Sequence, residues 1–365
     1  MSFQQDNSFF DSNYTICPEH IPNHGFLFVD HGKSGLGGHL GHAMFQANDG
    51  GITAFFPVCN GDNKGHSGRG WMRYKRSYDF GRSWSDSFDF IHSKDVFMVN
   101  KNVSVMCEKA VTCNDGSIVL FALVCDVGSN ALWEPYLYPY YLRSPDNGNT
   151  WNSPVAIGTE RGRIYDAVYH DGVIYVLKFA NSAEESWTGC RKEHVYQLFT
   201  SEDNGLSFTL RSTLPLDTFG RGYGTIEFLD SNQIIVGIYN SKDEENMDVI
   251  VSPDRGYSWG RQQAVYLAKR IRNPQLVRFG KGFLLHGRSG NEGQNPGNFV
   301  LYSSPDGFHW DEGRYLCLRE AGFGEYSNNL VVYDRLLKKN RLLIQSSHAY
   351  RDNLTNIHLW WIDAK

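Results

Sequence analysis

An octapeptide recurs along this chain, and its spacing restricts the available folds more than any other feature. Ser77-Tyr78-Asp79-Phe80-Gly81-Arg82-Ser83-Trp84 returns as Ser144-Pro145-Asp146-Asn147-Gly148-Asn149-Thr150-Trp151 and as Ser252-Pro253-Asp254-Arg255-Gly256-Tyr257-Ser258-Trp259. Ser201-Glu202-Asp203-Asn204-Gly205-Leu206-Ser207-Phe208 keeps the frame with Phe for Trp, and Ser304-Pro305-Asp306-Gly307-Phe308-His309-Trp310 is one residue shorter. Each copy reads as a tight hairpin. The Asp side chain caps amides of its own turn, Gly supplies a positive φ, and the aromatic fills the space between neighbouring strands. A turn returning every ~50–65 residues marks a radial repeat in which each unit is one small sheet.

The residues between the boxes share a grammar: strand, Asp-Gly-like turn, strand, long loop, strand, box, strand. Inner turns fall at Asn48-Asp49-Gly50, Asn114-Asp115-Gly116, His170-Asp171-Gly172, Leu229-Asp230-Ser231-Asn232, Gly280-Lys281-Gly282 and 334–340, which makes six inner hairpins against five boxes. This pattern predicts an all-β chain folded as a six-bladed β-propeller with five boxed turns, and 365 residues suits that architecture. Residues 26–365 are expected to form the single propeller and residues 1–25 an irregular segment. A strand at 24–30 is expected to close the ring by pairing with the last blade, which ends at 357–362.

Charge and hydropathy exclude several partners. A formal charge of −5 leaves no basic footprint for nucleic acid, and no apolar run reaches membrane-spanning length. Seven cysteines without CxxC pairs read as reduced thiols. The N-terminus has neither a charged n-region nor an apolar h-region, so no signal peptide is legible. Cytoplasmic synthesis is expected, with non-classical export or assembly into a virus particle as alternatives.

In a propeller the N-terminal ends of the inner strands converge on a central mouth. Those ends carry His39 and His42, Glu108, Arg163 with Tyr165 and Asp166, Arg221 with Tyr223, Arg272 with Asn273, and Glu325 with Tyr326. Acids, arginines, tyrosines and histidines at six equivalent places point to a binding concavity, although any one of them also fits a solvated strand end. Loops 59–71 and 133–140 are polar and aromatic. Trp133 is a candidate for stacking on a sugar ring and equally for packing between blades. No metal or cofactor is expected. His39, His42 and His66 lack helical ligand spacing, and Cys59 is their only soft neighbour.

The five boxes resemble the Asp-boxes, or BNR repeats, of the sialidase (neuraminidase) superfamily. That resemblance implies a propeller in which the box joins the third and fourth strands of a blade, away from the active face. Gly324-Glu325-Tyr326-Ser327-Asn328-Asn329-Leu330 resembles the last-blade stretch that carries the family's Tyr nucleophile, which maps to Tyr326. The arginine triad of the family is not matched. Gly38-His39-Leu40-Gly41-His42 stands near the place of its first-blade Arg-Ile-Pro, 248–251 and 298–302 lack its later arginine, and its blade-four Glu falls near Gly222-Tyr223. A true sialidase is therefore disfavoured.

The expected function is a glycoside hydrolase acting on an acidic glycan. In that reading Glu108, Asp166 and Glu325 share acid and base roles, while Arg163, Arg221 and Arg272 hold the sugar's charge. Two alternatives accompany it. One is a polysaccharide lyase, with His39 or His42 and Tyr326 performing β-elimination. The other is a non-catalytic glycan-binding propeller, such as a bacteriophage receptor-binding or decoration protein.

Overall fold

The computed structural model describes residues 8–17, 26–64, 67–128, 136–181, 193–293, 295–352 and 354–365. Six antiparallel sheets stand around one axis as a six-bladed β-propeller. The inner strands, one per blade, are Met44–Gln46, Val103–Thr112, Gly162–His170, Arg221–Phe228, Arg272–Phe279 and Ser327–Asp334. Each is followed by a hairpin partner, and in blades two, four and five these second strands are Ile118–Asp126, Ile234–Asn240 and Gly282–Arg288. The latter two are buried at every position. A strand covered on both faces by neighbouring blades needs a continuous apolar run rather than alternation, which Ile-Val-Leu-Phe-Ala-Leu-Val at 118–124 provides.

The five Ser-x-Asp turns connect third strands to fourth strands and are built alike. In the turn after Asn246–Ser252, the Ser252 hydroxyl donates to Asp254 Oδ1 at 2.9 Å and accepts the Gly256 N–H at 2.7 Å. Asp254 in turn accepts the Ser258 N–H at 2.7 Å and the Ser258 hydroxyl at 2.6 Å. Asp79, Asp146, Asp203 and Asp306 repeat this network. Gly256 is required twice over, because its φ is +91° and a Cβ there would lie 2.2 Å from Leu198 of the preceding blade. Trp310 is buried, whereas Trp84, Trp151, Phe208 and Trp259 are half-buried against the core.

The ring closes through the N-terminal part of the chain. Phe26–Val29 pairs with Leu354–Ala364 of blade six, as expected for the strand at 24–30. The segment before it is not uniformly irregular, because Ser8–Asn13 is a short helix and Tyr14–Ile16 pairs with the same last strand. Phe10 and Tyr14 supply the reason: both are buried, and Tyr14 donates its hydroxyl to the Phe279 carbonyl of blade five at 2.7 Å. A second departure is the helix Ile91–Val99 between blades one and two, where only loop and strand were expected. Ser93 anchors it by donating to the Val105 carbonyl and accepting the Met72 N–H.

Among the described residues the cysteines are all buried and unbridged. No helix there is long and apolar enough to cross a membrane.

Candidate active site at the propeller mouth

The inner strands do not run straight past the mouth. Pairing slips between Cys107 and Lys109, between Ile164 and Asp166, between Gly222 and Gly224, and between Arg272 and Gln275. Glu108, Tyr165, Tyr223 and the Asn273-Pro274 step are thus the extra residues of successive bulges. Tyr223 and Asn273 adopt φ of +43° and +53°, and Glu325, just ahead of blade six's inner strand, adopts +63°. Such backbone is disfavoured for non-glycine residues by roughly 1–3 kcal/mol each, and bulges beside a site re-aim side chains. Here they turn Glu108, Tyr165, Tyr223 and Asn273 to the axial pocket, which Tyr326, His42 and Gln275 also line. The pocket's volume is about 30 Å³, too small to take in a whole hexose-sized ring.

Glu108 and Arg163 form the charged wall. Arg163 donates from Nε at 3.0 Å and from its terminal nitrogen at 2.5 Å to one Glu108 oxygen, and also donates to the Tyr136 hydroxyl at 3.2 Å. Burial opposes the Arg163 charge, yet Glu108 and the oxygens of Tyr136, Tyr223 and Tyr165 outweigh it and hold its pKa well above the ordinary value. Its guanidinium also lies 4.9 Å and 5.0 Å from the ring centres of Tyr165 and Tyr223. From Tyr223 the rings continue to Tyr239 at 5.8 Å and Tyr326 at 5.7 Å, and His39 meets Tyr326 edge-on at 5.8 Å.

Several candidates stand elsewhere. Asp166 does not face Glu108 across the mouth. It is 1 % exposed, ion-paired with Lys109 at 2.9 Å, and accepts from the Thr225 hydroxyl and the Ile226 N–H. The bulge explains this. Tyr165 takes the mouth-facing position, so Asp166 drops one level, as Lys109 does after Glu108, and lines the cavity that opens on the opposite face.

Glu325 turns away from the pocket, accepting from His348 Nδ1 at 2.6 Å and the Ser346 hydroxyl at 3.2 Å. Burial raises its carboxyl pKa, while the bond to Glu325 outweighs burial at His348 and raises the imidazole's, so the pair shares one proton. His42 is a neutral structural imidazole. Its Nε2–H donates to the His39 carbonyl at 2.8 Å, Nδ1 accepts from Gln345, and burial pulls its pKa down to about 4.

Arg221 is committed to Asp248 and Asp217, and Arg272 to Glu244 and the Tyr239 hydroxyl. Trp133 and His66 lie outside the described residues.

One residue absent from the sequence-derived set matters most. Arg288 ends the second strand of blade five, directly opposite Arg272. It is 4 % exposed, and its guanidinium sits 5.8 Å from the Tyr326 ring and 5.2 Å from the Phe323 ring. Glu325 feels its charge but is bonded to His348. Among the described residues the Nε of Arg288 has no hydrogen-bond partner, and Arg288 makes no ion pair. Its signal lay in the antiparallel hairpin, since a residue paired with the start of an inner strand shares that strand's end of the blade.

No family model matches the chain, and no curated protein matches it. Solved structures do. A protein of unknown function from Dyadobacter fermentans superposes with a TM-score of 0.68 at 14% identity, over 95% of this chain and 99% of its own. The Hadza microbial sialidase Hz136 follows at 0.65 and 14%, over 92% and 68%. The NanB sialidase of Streptococcus pneumoniae, represented by its K499G mutant, gives 0.62 at 10%, over 93% and 70%. The fold is thus that of a sialidase-like six-bladed propeller.

Proposed function

We propose that the mouth of this propeller takes a carboxylate-bearing sugar, and that the protein acts on an acidic glycan there. The observation that carries this reading is Arg288: a guanidinium buried beside Tyr326 that, among the described residues, makes no ion pair, the nearby Glu325 being bonded to His348. Leaving such a group without an anion is unfavourable, and a planar fork is suited to a carboxylate. The five Ser-x-Asp turns, read as the family's Asp-boxes, support kinship with sialidases and contribute only scaffold.

For the chemistry, hydrolysis of the glycosidic bond rests on Tyr326, the residue that resembles the family nucleophile, with Glu108 as the carboxylate at the pocket wall. A paired-carboxylate mechanism is less favoured, since Asp166 and Glu325 are engaged away from the pocket. A second reading, β-elimination from a uronic acid, is favoured by the edge-on contact of His39 with Tyr326.

Incubation with sialylated and uronate-containing polysaccharides separates these readings. Hydrolysis releases reducing ends alone, and elimination adds the absorbance of an unsaturated uronate. Tyr326→Phe is expected to abolish either activity and leave binding within about threefold, because the ring stays and only the hydroxyl goes. Binding without turnover in the wild type would identify a glycan-binding module. Absence of both binding and turnover would refute the proposal.

A further inference from the structure

Beside the charged groups, blade five places two carboxamides in the mouth whose hydrogen-bonding capacity is unused. Asn273 is 5 % exposed, and neither Nδ2 nor Oδ1 has a hydrogen-bond partner among the described residues. Gln275 is 8 % exposed; its Nε2 donates to the Pro274 carbonyl at 3.2 Å, while Oε1 has no partner among the described residues. Both line the mouth pocket. Buried polar atoms are normally satisfied, and a group left without a partner is destabilising. Asn273 stands at φ +53°, a conformation Asn accepts more readily than most residues, and the bulge there aims its side chain at the pocket.

We infer that Asn273, with Gln275 behind it, reads two adjacent hydroxyls of the sugar and makes the mouth selective for configuration as well as for charge. This rests on the reading of the mouth as an acidic-sugar site. A side-chain carboxamide offers one acceptor and two donors from neighbouring atoms, and a hydroxyl both donates and accepts. Two gauche hydroxyls on adjacent ring carbons therefore satisfy Nδ2 and Oδ1 together, whichever way the amide is turned. A trans secondary amide, such as an acetamido group, directs its N–H and C=O to opposite sides and cannot meet both. The ligand class is thus an acidic sugar with a free vicinal diol. With the carboxylate fixing the ring's placement, epimerisation at one of these carbons keeps the pair gauche but carries one hydroxyl away from the carboxamide, and the buried amide atom left unmet is a mismatch to which such sites are sensitive.

The test is calorimetric titration of the intact protein with the methyl glycosides of glucuronic, galacturonic and mannuronic acid. The wild type is expected to show a spread in Kd of about tenfold or more between the best and worst of the three. Asn273→Gly is the informative variant, because glycine tolerates the positive φ and removes only the carboxamide. It is expected to compress the spread to about threefold or less and leave the preference for each acid over its methyl ester intact, with Gln275→Met compressing it partially. An equal wild-type Kd for all three sugars, or an undiminished spread in Asn273→Gly, overturns the inference and leaves the acidic-sugar reading standing. Failure of every acid to bind overturns that reading and the inference with it.

Discussion

Asp254 caps its own turn, accepting the amide and hydroxyl of Ser258. Asp254 is largely solvated, and the Ser258 hydroxyl and amide, more than any other groups, lower its carboxyl pKa. Asp254→Ala is expected to destabilise the protein by about 1 kcal/mol through the lost cap, with glycan binding at the distant mouth unchanged. Chemical denaturation with a parallel binding titration checks both halves. Loss of binding at constant stability would make the turn functional.

Buried histidines set a second expectation at this scale. Burial lowers the pKa of His31 and His42 from 6.5 to about 4, and that of His286 to about 3. Their folded values lie below the unfolded value, so between these limits the unfolded chain binds protons that the folded chain excludes. The contribution of each of these histidines therefore falls as pH drops from 6.5 towards 4, by up to about 1.4 kcal/mol per pH unit. His348, raised by Glu325, works with the opposite sign: its contribution is present below 6.5 and lost above its own folded pKa. Urea midpoints across this range report the balance, and His42→Gln should reduce the slope by about one proton. Burial raises the Glu227 carboxyl from 4.5 to about 7 and raises that of Glu325, and both oppose the histidines over this range, so the variant decides: an unchanged slope in His42→Gln would mean that this imidazole is not buried neutral.

Residue types at strand ends located Glu108, Arg163, Tyr165, Tyr223, Asn273 and Tyr326 near the mouth, because the repeat phases the blades. Asp166 went astray because a one-residue bulge, invisible in the pattern, moves each following side chain by one level. Arg288 is not legible from the inner-strand ends, because it lies on a second strand and only its pairing with Arg272 brings it to the mouth.

Among the elements, the repeated turns made six inner hairpins legible, since Asp-Gly and Ser-x-Asp chemistry is local. The helix Ile91–Val99 was not, because its sequence carries no amphipathic stripe and only Ser93 of it is buried. The N-terminal pairing was half legible. Phe26–Val29 reads as a strand, whereas Tyr14–Ile16 is too short to show a period and is held by its partner Leu354–Ala364. Phe10 and Tyr14 pack with Phe279, Leu342 and Trp360 between blades five and six. A chain truncated to begin after Cys17 should lose roughly 1.5–3 kcal/mol for each of those two side chains. Its urea midpoint should fall, and amides of the last strand should exchange faster. An unchanged midpoint would show that the Tyr14–Ile16 pairing and the two buried rings contribute nothing.

For the molecule as a whole, a ring of six sheets brings residues remote in sequence onto one axis and leaves Arg288 buried beside Tyr326 with no ion pair among the described residues. An acidic sugar completes that arrangement. The decisive measurement is binding of a carboxylated sugar and its methyl ester to the wild type and to Arg288→Met, at low and at moderate salt. The wild type is expected to prefer the acid by about tenfold or more, the preference shrinking with salt, and Arg288→Met to bind both forms alike with an unchanged melting temperature. Equal affinity of the wild type for acid and ester, or an undiminished preference in Arg288→Met, would contradict it.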